Sequence, residues 1–234
     1  MRCQNSILKS VINGVKVNFW NDQIYSKRKQ WNLWPYVEVI STINNLRHED
    51  SGRKMKLLEI GCGVGNNLIP LAEMGFECYG IDVSKIAVEE TQERAQKRGL
   101  KIEVFVSDVC EIKFPNEYFD FIVDRSVLTC TDSNTISKAV SEVFRTLREN
   151  GFFVAFDWFG VNHPDLNFGR EISQNTFGHF TSGNFKNVEI ISTFDFNRIS
   201  NLLVDFSKFN AKVHKTMDIQ DNLTEEKFSF IAKK

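Results

Sequence analysis

A glycine-rich segment between two short apolar runs constrains the fold of this chain more than any other feature. The apolar run 55–60 is followed by Gly61, Gly63 and Gly65, then by a helical pattern, and then by a second apolar run that ends at Asp82. Glycine tolerates positive φ and lets a ligand approach the backbone closely. A helix that begins after such a loop directs its unpaired N–H groups at a ligand. This order predicts a β-α-β unit with a nucleoside site, in which Asp82 binds ribose hydroxyls.

The spacing of the glycines distinguishes two kinds of nucleotide site. A dinucleotide fingerprint needs its third glycine at the sixth position of the loop, where this chain has Asn66. The segment also lacks the G-K-[ST] sequence of a phosphate-binding P-loop. A short-chain NAD oxidoreductase is further disfavoured because no Tyr-x-x-x-Lys pair follows the fourth predicted strand.

The pattern E-x-G-x-G-x-G at residues 59–65 resembles motif I of the class I S-adenosylmethionine (SAM) methyltransferases. In that family the glycine loop packs against the methionine part of SAM, and the acid after the second strand binds the ribose. Asp82 matches that acid. The resemblance covers residues 55–157 well and the remainder weakly. It implies SAM as the cofactor and S-adenosylhomocysteine (SAH) as the product.

Two further motifs follow in the order that this resemblance requires. The alternating run 101–106 predicts a third strand, and Asp108 after it matches the acid that receives the adenine amino group. The backbone N–H of Val109 would then meet the adenine ring. The run 118–123 predicts a fourth strand, and the sequence D-R-S at 124–126 resembles motif IV, which faces the transferred methyl group.

An aromatic-rich segment precedes this core. In related methyltransferases such a segment folds over the SAM pocket, which predicts that residues 1–54 form a helical lid whose Tyr25, Trp31 and Trp34 touch SAM. Trp20 fits this interpretation and that of an outer packed helix equally well. The resemblance and the lid together assign cofactor binding to Tyr25, Trp31, Trp34, Glu59, Gly61, Gly63, Gly65, Asn66, Asn67, Asp82, Val83, Ser107, Asp108, Val109, Asp124, Arg125 and Ser126.

The candidate catalytic residues follow from the chemistry of methyl transfer. A nucleophile must be aligned with the methyl–sulfur bond, and alignment alone supplies roughly 7–11 kcal/mol. A general base adds about 10²–10⁴-fold where the nucleophile is a hydroxyl, whereas an amine can arrive already neutral. Asp124 is the best-placed carboxylate by resemblance. His163 and His179, in the Gly-, Asn-, His- and Phe-rich insertion 158–187, are the alternative bases.

Composition and charge narrow the classes of partner. The net charge of −1 provides no broad attraction to nucleic acid. We find no apolar run long enough to cross a bilayer and no signal peptide, so we expect no membrane partner. The five cysteines share no metal-ligand spacing, which predicts no metal site and favours a reduced, cytoplasmic protein.

These observations predict one α/β domain over residues 1–234, with a Rossmann-like doubly wound seven-stranded sheet. The sheet is expected to be mostly parallel and to end in the C-terminal antiparallel hairpin of the class I methyltransferase fold. Residues 55–157 would form the SAM-binding core, 158–187 a substrate-side insertion, and 188–234 the closing helix and strands.

The predicted function is SAM-dependent methyl transfer to an N or O atom of a small polar metabolite. The order G-R-E-I-S-Q-N-T-F at 169–177 resembles small bacterial methyltransferases of surface-polysaccharide and modified-sugar pathways. A sugar or sugar-nucleotide precursor is therefore the narrower hypothesis. A non-catalytic SAM-binding regulatory module is an alternative. A protein or nucleic-acid methyltransferase is less favoured, because D-R-S-V replaces the N-P-P-Y type of motif after the fourth strand. The sequence predicts no oligomeric state.

Overall fold

The computed structural model describes residues 10–12, 15–17, 19–28, 31–47, 53–186 and 188–234. A seven-stranded sheet runs through the centre of this part of the chain. Its strands are β1 (Lys56–Ile60), β2 (Glu77–Asp82), β3 (Ile102–Val106), β4 (Phe119–Arg125), β5 (Leu147–Phe159), β6 (Lys208–Met217) and β7 (Leu223–Lys233).

The strand order is β3-β2-β1-β4-β5-β7-β6. The first five strands in this order are parallel, and β7 runs antiparallel to both β5 and β6. This is the predicted α/β sheet with its C-terminal antiparallel hairpin. The chain winds outward in opposite directions from β1 and β4, so the sheet has its switch point between these two strands, where ligands bind in such folds.

Alternation along the strands builds a core on each face of the sheet. Leu57 packs on the face covered by α1 (Val37–Leu46), α2 (Leu68–Glu73) and α3 (Lys85–Lys97), and Leu58 packs on the opposite face, covered by α4 (Ser133–Thr146) and α5 (Phe196–Leu202). Phe121 and Ile122 of β4 divide in the same way. These strands therefore read as continuous apolar runs because both of their faces are buried.

Side-chain caps fix where the longer helices begin. Ser84 accepts a hydrogen bond from Ala87 N at the start of α3, and Asp132 accepts from Asn134 N and Thr135 N at the start of α4. Such caps contribute about 1 kcal/mol each. The longest described helix, α4, has 14 residues, and no helix in the described ranges is long and apolar enough to cross a bilayer.

The boundaries differ from the sequence-based prediction in two regions. The sequence pattern of residues 133–149 predicts one helix, but the helix ends at Thr146, because β5 already begins at Leu147 and turns at Asn150, whose φ is +64°. The apolar run 188–192 predicts a short strand; the observed strand is Ile190–Ser192, and it lies outside the central sheet. It pairs with Thr176–Gly178, which pairs with Arg170–Ser173, so the insertion carries its own antiparallel sheet.

The described part of the segment before α1 consists of a two-stranded antiparallel sheet, Ser10–Ile12 with Val15–Val17, and short turns. Residues Trp20–Ile24 form one π-helical turn, and Tyr25–Lys27 form a 3₁₀ turn. Proline is favoured at the first position of a helix, so Pro35 predicts a helix start; α1 begins two residues later, at Val37. Residues 1–9, 13–14, 18, 29–30 and 48–52 of the predicted lid lie outside the described residues.

Candidate functional site

A cavity of about 330 Å³ opens where the carboxyl ends of β1, β2, β4 and β5 meet the start of β7. This position is the switch point of the sheet. We call its two sides the glycine-loop end, formed by the lining residues within 59–67, 82–83 and 107–109, and the insertion end, formed by Phe159, His163, Phe185, Glu225 and Lys227.

Most of the predicted cofactor residues line this cavity. They come from five separate stretches of the sequence that the fold brings together: Tyr25, Glu59, Gly61, Gly63, Asn66, Asn67, Asp82, Val83, Ser107, Asp108, Val109, Arg125 and Ser126. Trp31, Trp34, Gly65 and Asp124 do not line it. The sheet topology therefore assembles the glycine-loop end largely as the motif order predicted.

The glycines of the loop serve two different purposes. Gly63 has φ +55°, and a Cβ atom there would lie 2.8 Å from Tyr25 Oη, so a side chain would fill the cavity wall. Gly65 has φ +75°, and a Cβ atom there would lie 2.6 Å from Thr91 Cγ2 of α3. Gly65 thus permits close packing of the loop on α3 rather than contact with a ligand.

Asp82 closes the glycine loop from the end of β2. Its Oδ2 accepts a hydrogen bond from Gly63 N at 2.9 Å, and its Oδ1 accepts from Ser84 N at 2.8 Å. Burial raises the pKa of this carboxyl group to about 6, although both backbone hydrogen bonds oppose the rise. The side chain is therefore held in one orientation at the cavity wall, where its remaining lone pairs can accept from a ligand.

Glu59 is one of two cavity-lining residues with a buried polar atom that has no hydrogen-bond partner among the described residues; the other is Arg125, at Nε. The side chain is 3% exposed; Oε1 accepts from Asn67 Nδ2 at 2.7 Å, while Oε2 finds no hydrogen-bond partner among the described residues. Burial raises the pKa of this carboxyl group to about 8, against the influence of Asn67 and Arg125. A buried carboxylate oxygen without a partner is costly, so this position favours a cationic or hydrogen-bond-donating ligand.

Residues at the end of β3 complete the glycine-loop end. Ser107, Asp108 and Val109 all line the cavity. Asp108 Oδ1 accepts from Cys110 N at 2.9 Å, which fixes the carboxylate in a tight turn. The arrangement leaves one carboxylate oxygen and the local backbone for a ligand with both donors and acceptors.

The lid contacts differ from the prediction in which aromatic side chains face the cavity. Tyr25 is buried and lines it, together with Trp20 and Tyr36. Trp34 is 80% exposed, and Trp31 packs against Tyr25 with ring centroids 6.5 Å apart without reaching the cavity. Trp34 is turned outward because the chain is held here by its carbonyl group, which accepts a hydrogen bond from Asn66 Nδ2 at 3.1 Å.

A second side chain of the loop also holds the lid. Asn67 Oδ1 accepts from Tyr36 N at 3.0 Å, while Asn67 Nδ2 donates to Glu59. The ring of Tyr36 in turn lies 3.6 Å from the guanidinium carbon of Arg125. The lid is therefore connected to both the glycine loop and the end of β4.

Asp124, the predicted catalytic carboxylate, does not line the cavity. Its side chain is fully buried, and its carboxylate accepts from Trp158 Nε1 at 2.7 Å, Val127 N at 2.9 Å and Leu128 N at 3.4 Å. Burial raises the pKa of Asp124 to about 6. These hydrogen bonds fix the turn after β4, so Asp124 holds part of the cavity wall in place without lining the cavity.

The two candidate histidines also separate. His163 is 3% exposed and lines the insertion end. His179 is exposed, follows the strand Thr176–Gly178 and does not line the cavity. The insertion folds into its own sheet, which carries His179 away while the turn before it brings His163 inward.

The insertion end carries a chain of alternating charges. Arg125 Nη2 lies 2.5 Å from Asp157 Oδ2, Lys227 Nζ lies 3.4 Å from Asp157 Oδ1, and Lys227 Nζ lies 2.6 Å from Glu225 Oε1. Two cations and two carboxylates thus neutralise one another. The residues from β7 were missed by sequence reasoning, and the register that pairs Lys227 with Phe159 of β5 is what brings them to the cavity.

Comparisons with known proteins agree with this geometry. Residues 57–151 match the family model described as a methyltransferase domain. A curated relative, the uncharacterized methyltransferase YcgJ of Bacillus subtilis, is 31% identical over 112 residues, which cover 47% of this chain and 44% of the relative. The match spans less than half the length of the first curated relatives. Other relatives are named as sterol, tRNA and protein methyltransferases.

Solved structures resemble the chain over most of its length. A SAM-dependent methyltransferase from Methanosarcina mazei superposes with a TM-score of 0.67 at 25% identity, covering 86% of this chain and 99% of that one. Magnesium protoporphyrin IX methyltransferase from Synechocystis, with bound SAH, gives a TM-score of 0.64 at 17% identity, covering 93% and 97%. Residues 57–151 thus match a methyltransferase domain, and the chain has the fold of the SAM-dependent methyltransferase structures to which it is similar.

Proposed function

We propose that this protein transfers the methyl group of SAM to an N or O atom of a small molecule bound at the insertion end. One observation carries the proposal: Glu59 Oε2 is a buried carboxylate oxygen without a partner among the described residues, at the wall of the cavity beside the glycine loop. SAM carries an ammonium group on its methionine part, which is the kind of ligand that such an oxygen requires.

The other residues of the glycine-loop end fit the remaining parts of SAM. Asp82 has a fixed carboxylate for the ribose hydroxyls, and Asp108 has one for the adenine amino group. Gly63 leaves space for close approach to the backbone. Bound here, SAM supplies an electrophilic methyl group that needs no further activation.

The protein's contribution to the reaction is then mainly orientation and exclusion of water. Among the described residues at the insertion end, the carboxylates of Asp157 and Glu225 are engaged by Arg125 and Lys227, and Asp124 is buried beneath the wall. Orientation alone supplies roughly 7–11 kcal/mol. This site suits an acceptor whose nucleophilic atom arrives without a proton to lose, such as a neutral amine.

The size and lining of the cavity support a small methyl acceptor. A volume of about 330 Å³ is at the lower end of small-molecule sites, and the protein's net charge of −1 gives no broad attraction to a polyanion. Phe159 and Phe185 offer aromatic faces at the insertion end, against which the ring of a sugar can pack. A sugar or sugar-nucleotide precursor is therefore the narrower form of the proposal.

The proposal is tested first by SAH binding. SAH should raise the melting temperature of the wild-type protein, because a ligand that binds the folded state stabilises it. Gly63→Val should abolish this shift by filling the cavity wall. Gly99→Val is the matched control, because Gly99 also has positive φ (+65°) but has no neighbouring atoms within 4 Å of a Cβ. An equal SAH shift in both variants would refute the site.

The second test identifies the methyl acceptor. The wild-type protein is incubated with SAM and pools of amines, nucleotide sugars and carboxylates, and SAH release is measured. We expect one pool to give turnover, with the Gly63→Val protein inactive on the same pool. SAH binding without turnover on any pool would favour a regulatory SAM-binding module instead.

A further inference from the structure

Three aromatic side chains form a corner at the insertion end of the cavity. The ring centroids of Phe159 and Phe185 lie 4.7 Å apart, those of His163 and Phe185 4.7 Å apart, and those of Phe159 and His163 5.4 Å apart. All three residues line the cavity. We call this group the aromatic corner; it combines two apolar faces with one ring that has a polar edge.

The orientation of the His163 ring is set by the sequence His-Pro-Asp. Pro164 begins a 3₁₀ turn, Pro164–Phe168, and His163 caps it: His163 Nδ1 accepts a hydrogen bond from Asp165 N at 3.2 Å. A nitrogen that accepts a hydrogen bond carries a lone pair and no proton. In the neutral ring, the proton must then be on Nε2.

The other ring nitrogen remains available to a ligand. His163 Nε2 makes no hydrogen bond to any described residue. Although the residue is only 3% exposed, this nitrogen is not fully buried. The atom therefore keeps access to the cavity that the residue lines. It can donate a hydrogen bond there, because the tautomer places its proton on this side.

The charges around the ring do not convert it to the imidazolium form. Asp165 lies on the turn that His163 caps, and Glu225, Glu226 and Lys227 of β7 are close enough to act on the ring electrostatically. Burial lowers the pKa of His163 more than these carboxylates raise it, and Lys227 acts in the same direction as burial. Protonation would also place a proton on Nδ1 opposite the N–H of Asp165 and break the cap.

We propose that His163 is held as its Nε2–H tautomer and donates a hydrogen bond to an oxygen of a ring-bearing methyl acceptor, whose ring packs against Phe159 and Phe185. In this role His163 helps to recognise the methyl acceptor through a hydrogen bond and does not remove its proton. The inference rests on the proposed function, since it assigns the methyl acceptor of the same cavity. It assigns a ring with a hydrogen-bond-accepting oxygen, which either a hydroxylated aromatic compound or a sugar can supply.

The tautomer can be measured without knowing the methyl acceptor. The protein has four histidines, so ¹⁵N-labelled histidine gives a simple two-bond ¹H–¹⁵N spectrum of the SAH complex, in which the His163 signals are those lost in a His163 variant. We expect Nε2 protonated and Nδ1 unprotonated, with the pKa of His163 below its ordinary value of 6.5 because of burial. A protonated Nδ1 in the neutral ring, or a His163 pKa above 6.5, would overturn the proposal.

Two variants separate the cap from the hydrogen bond to the ligand. In His163→Asn the side-chain oxygen can still accept from Asp165 N, but no donor reaches the position of Nε2. In His163→Gln the amide group reaches that position, but the cap is lost. The probes are phenol, 2-pyridone and methyl glucoside, each titrated into the SAH complex. We expect a probe to bind the wild-type and Gln proteins and to lose about tenfold in affinity in the Asn protein.

The three probes distinguish an aromatic methyl acceptor from a sugar. Binding of phenol or 2-pyridone with this pattern indicates an aromatic methyl acceptor, and binding of methyl glucoside indicates a sugar. Equal affinity of the wild-type and Asn proteins, or no binding of any of the three probes, would overturn the assignment. Because SAH binding is verified in each sample, a protein that binds SAH normally but fails these tests refutes this inference alone.

Discussion

The two ends of the cavity differ in whether their carboxylate groups have hydrogen-bond or ion-pair partners. At the glycine-loop end, Glu59 keeps an oxygen without a partner among the described residues. At the insertion end, Asp157 lies between Arg125 and Lys227, and Glu225 pairs with the same lysine. The first end is prepared for a positively charged ligand, whereas the second is already neutral.

This difference separates binding from catalysis in the molecule. Burial keeps Glu59 protonated below about pH 8, and a bound cation would favour its ionised form, so the glycine-loop end is suited to the ammonium group of SAM. The insertion end gains nothing from added charge and instead offers ring faces and a donor. The proposed function therefore predicts that the cofactor is bound by charge and the methyl acceptor by shape and hydrogen bonding.

The largest expected effect concerns Asp124, which lines neither end of the cavity. In Asp124→Asn, the amide NH₂ group would face one of three donors, Trp158 Nε1, Val127 N or Leu128 N. The free energy of unfolding at pH 7 should fall by about 1–3 kcal/mol, while SAH affinity stays within about twofold, as urea titration and calorimetry can measure.

A double-mutant cycle controls that prediction. Trp158→Phe removes the donor from the other side, and the two losses should be less than additive because the residues share one hydrogen bond. If Asp124→Asn instead leaves stability intact and abolishes methyl transfer, Asp124 is catalytic and the comparison of the two ends is wrong.

The next effect concerns the pH dependence of stability. The pKa of Glu59 is about 8 in the folded protein, above its ordinary value of 4.5, so the folded state binds more protons than the unfolded state between these values. Stability should therefore fall as pH rises from 6.5 to 8, by at most about 1.4 kcal/mol per pH unit. Asp82 and Asp124, with pKa values of about 6, contribute mainly below this window.

Glu59→Gln isolates this contribution. The variant should show a flat stability between pH 6.5 and 8, measured by urea unfolding. Wild-type SAH affinity should rise with pH over the same window, because the ligand's ammonium group favours the ionised carboxylate, whereas the variant should lack this rise. Identical pH profiles for the two proteins would mean that Glu59 does not meet the cofactor's charge.

A smaller effect is expected from opening the neutral charge chain. Lys227→Met leaves Glu225 without its cation and Asp157 with Arg125 alone. We expect a loss of about 1 kcal/mol in the free energy of unfolding, with unchanged SAH affinity. Lys101→Met removes the exposed pair with Glu103 and should cost almost nothing. A large loss of SAH affinity in Lys227→Met would mean that the two ends are not separate.

The smallest effect tests the revised lid. Trp34 is 80% exposed and contributes its carbonyl group rather than its ring. Trp34→Ala should change SAH affinity and unfolding free energy by less than about 0.5 kcal/mol. Tyr25→Ala, which removes a buried ring from the cavity wall, is the comparison and should weaken SAH binding measurably. Equal losses in both variants would restore the predicted contact of Trp34 with the cofactor.

The difference between the two ends of the cavity also explains which site residues could be predicted from the sequence. The glycine loop, Asp82 and Asp108 follow strand ends that occur in a fixed order, and the parallel sheet places successive strand ends along one edge. Local pattern is therefore enough to locate them. The fold was predicted for the same reason, because buried parallel strands read as continuous apolar runs.

The insertion end could not be found in this way. Lys227 reaches the cavity through the antiparallel register of β7 with β5, which depends on the whole intervening chain. Whether His163 or His179 faces inward depends on a 3₁₀ turn and a small separate sheet. The position of Asp124 at the end of β4 is local information, whereas its hydrogen bond from Trp158 is a tertiary contact that the sequence could not predict.

The stacking of Arg125 on Tyr36 has a thermodynamic consequence for the order in which ligands bind. Glu59 holds Asn67, Asn67 holds the backbone of Tyr36, and Tyr36 covers the guanidinium that pairs with Asp157. A cofactor that binds Glu59 is thus connected through Asn67 and Tyr36 to Arg125, which lies toward the insertion end. Any coupling free energy between the two ligands must be reciprocal. SAM would strengthen the binding of the methyl acceptor by the same factor by which the methyl acceptor strengthens the binding of SAM.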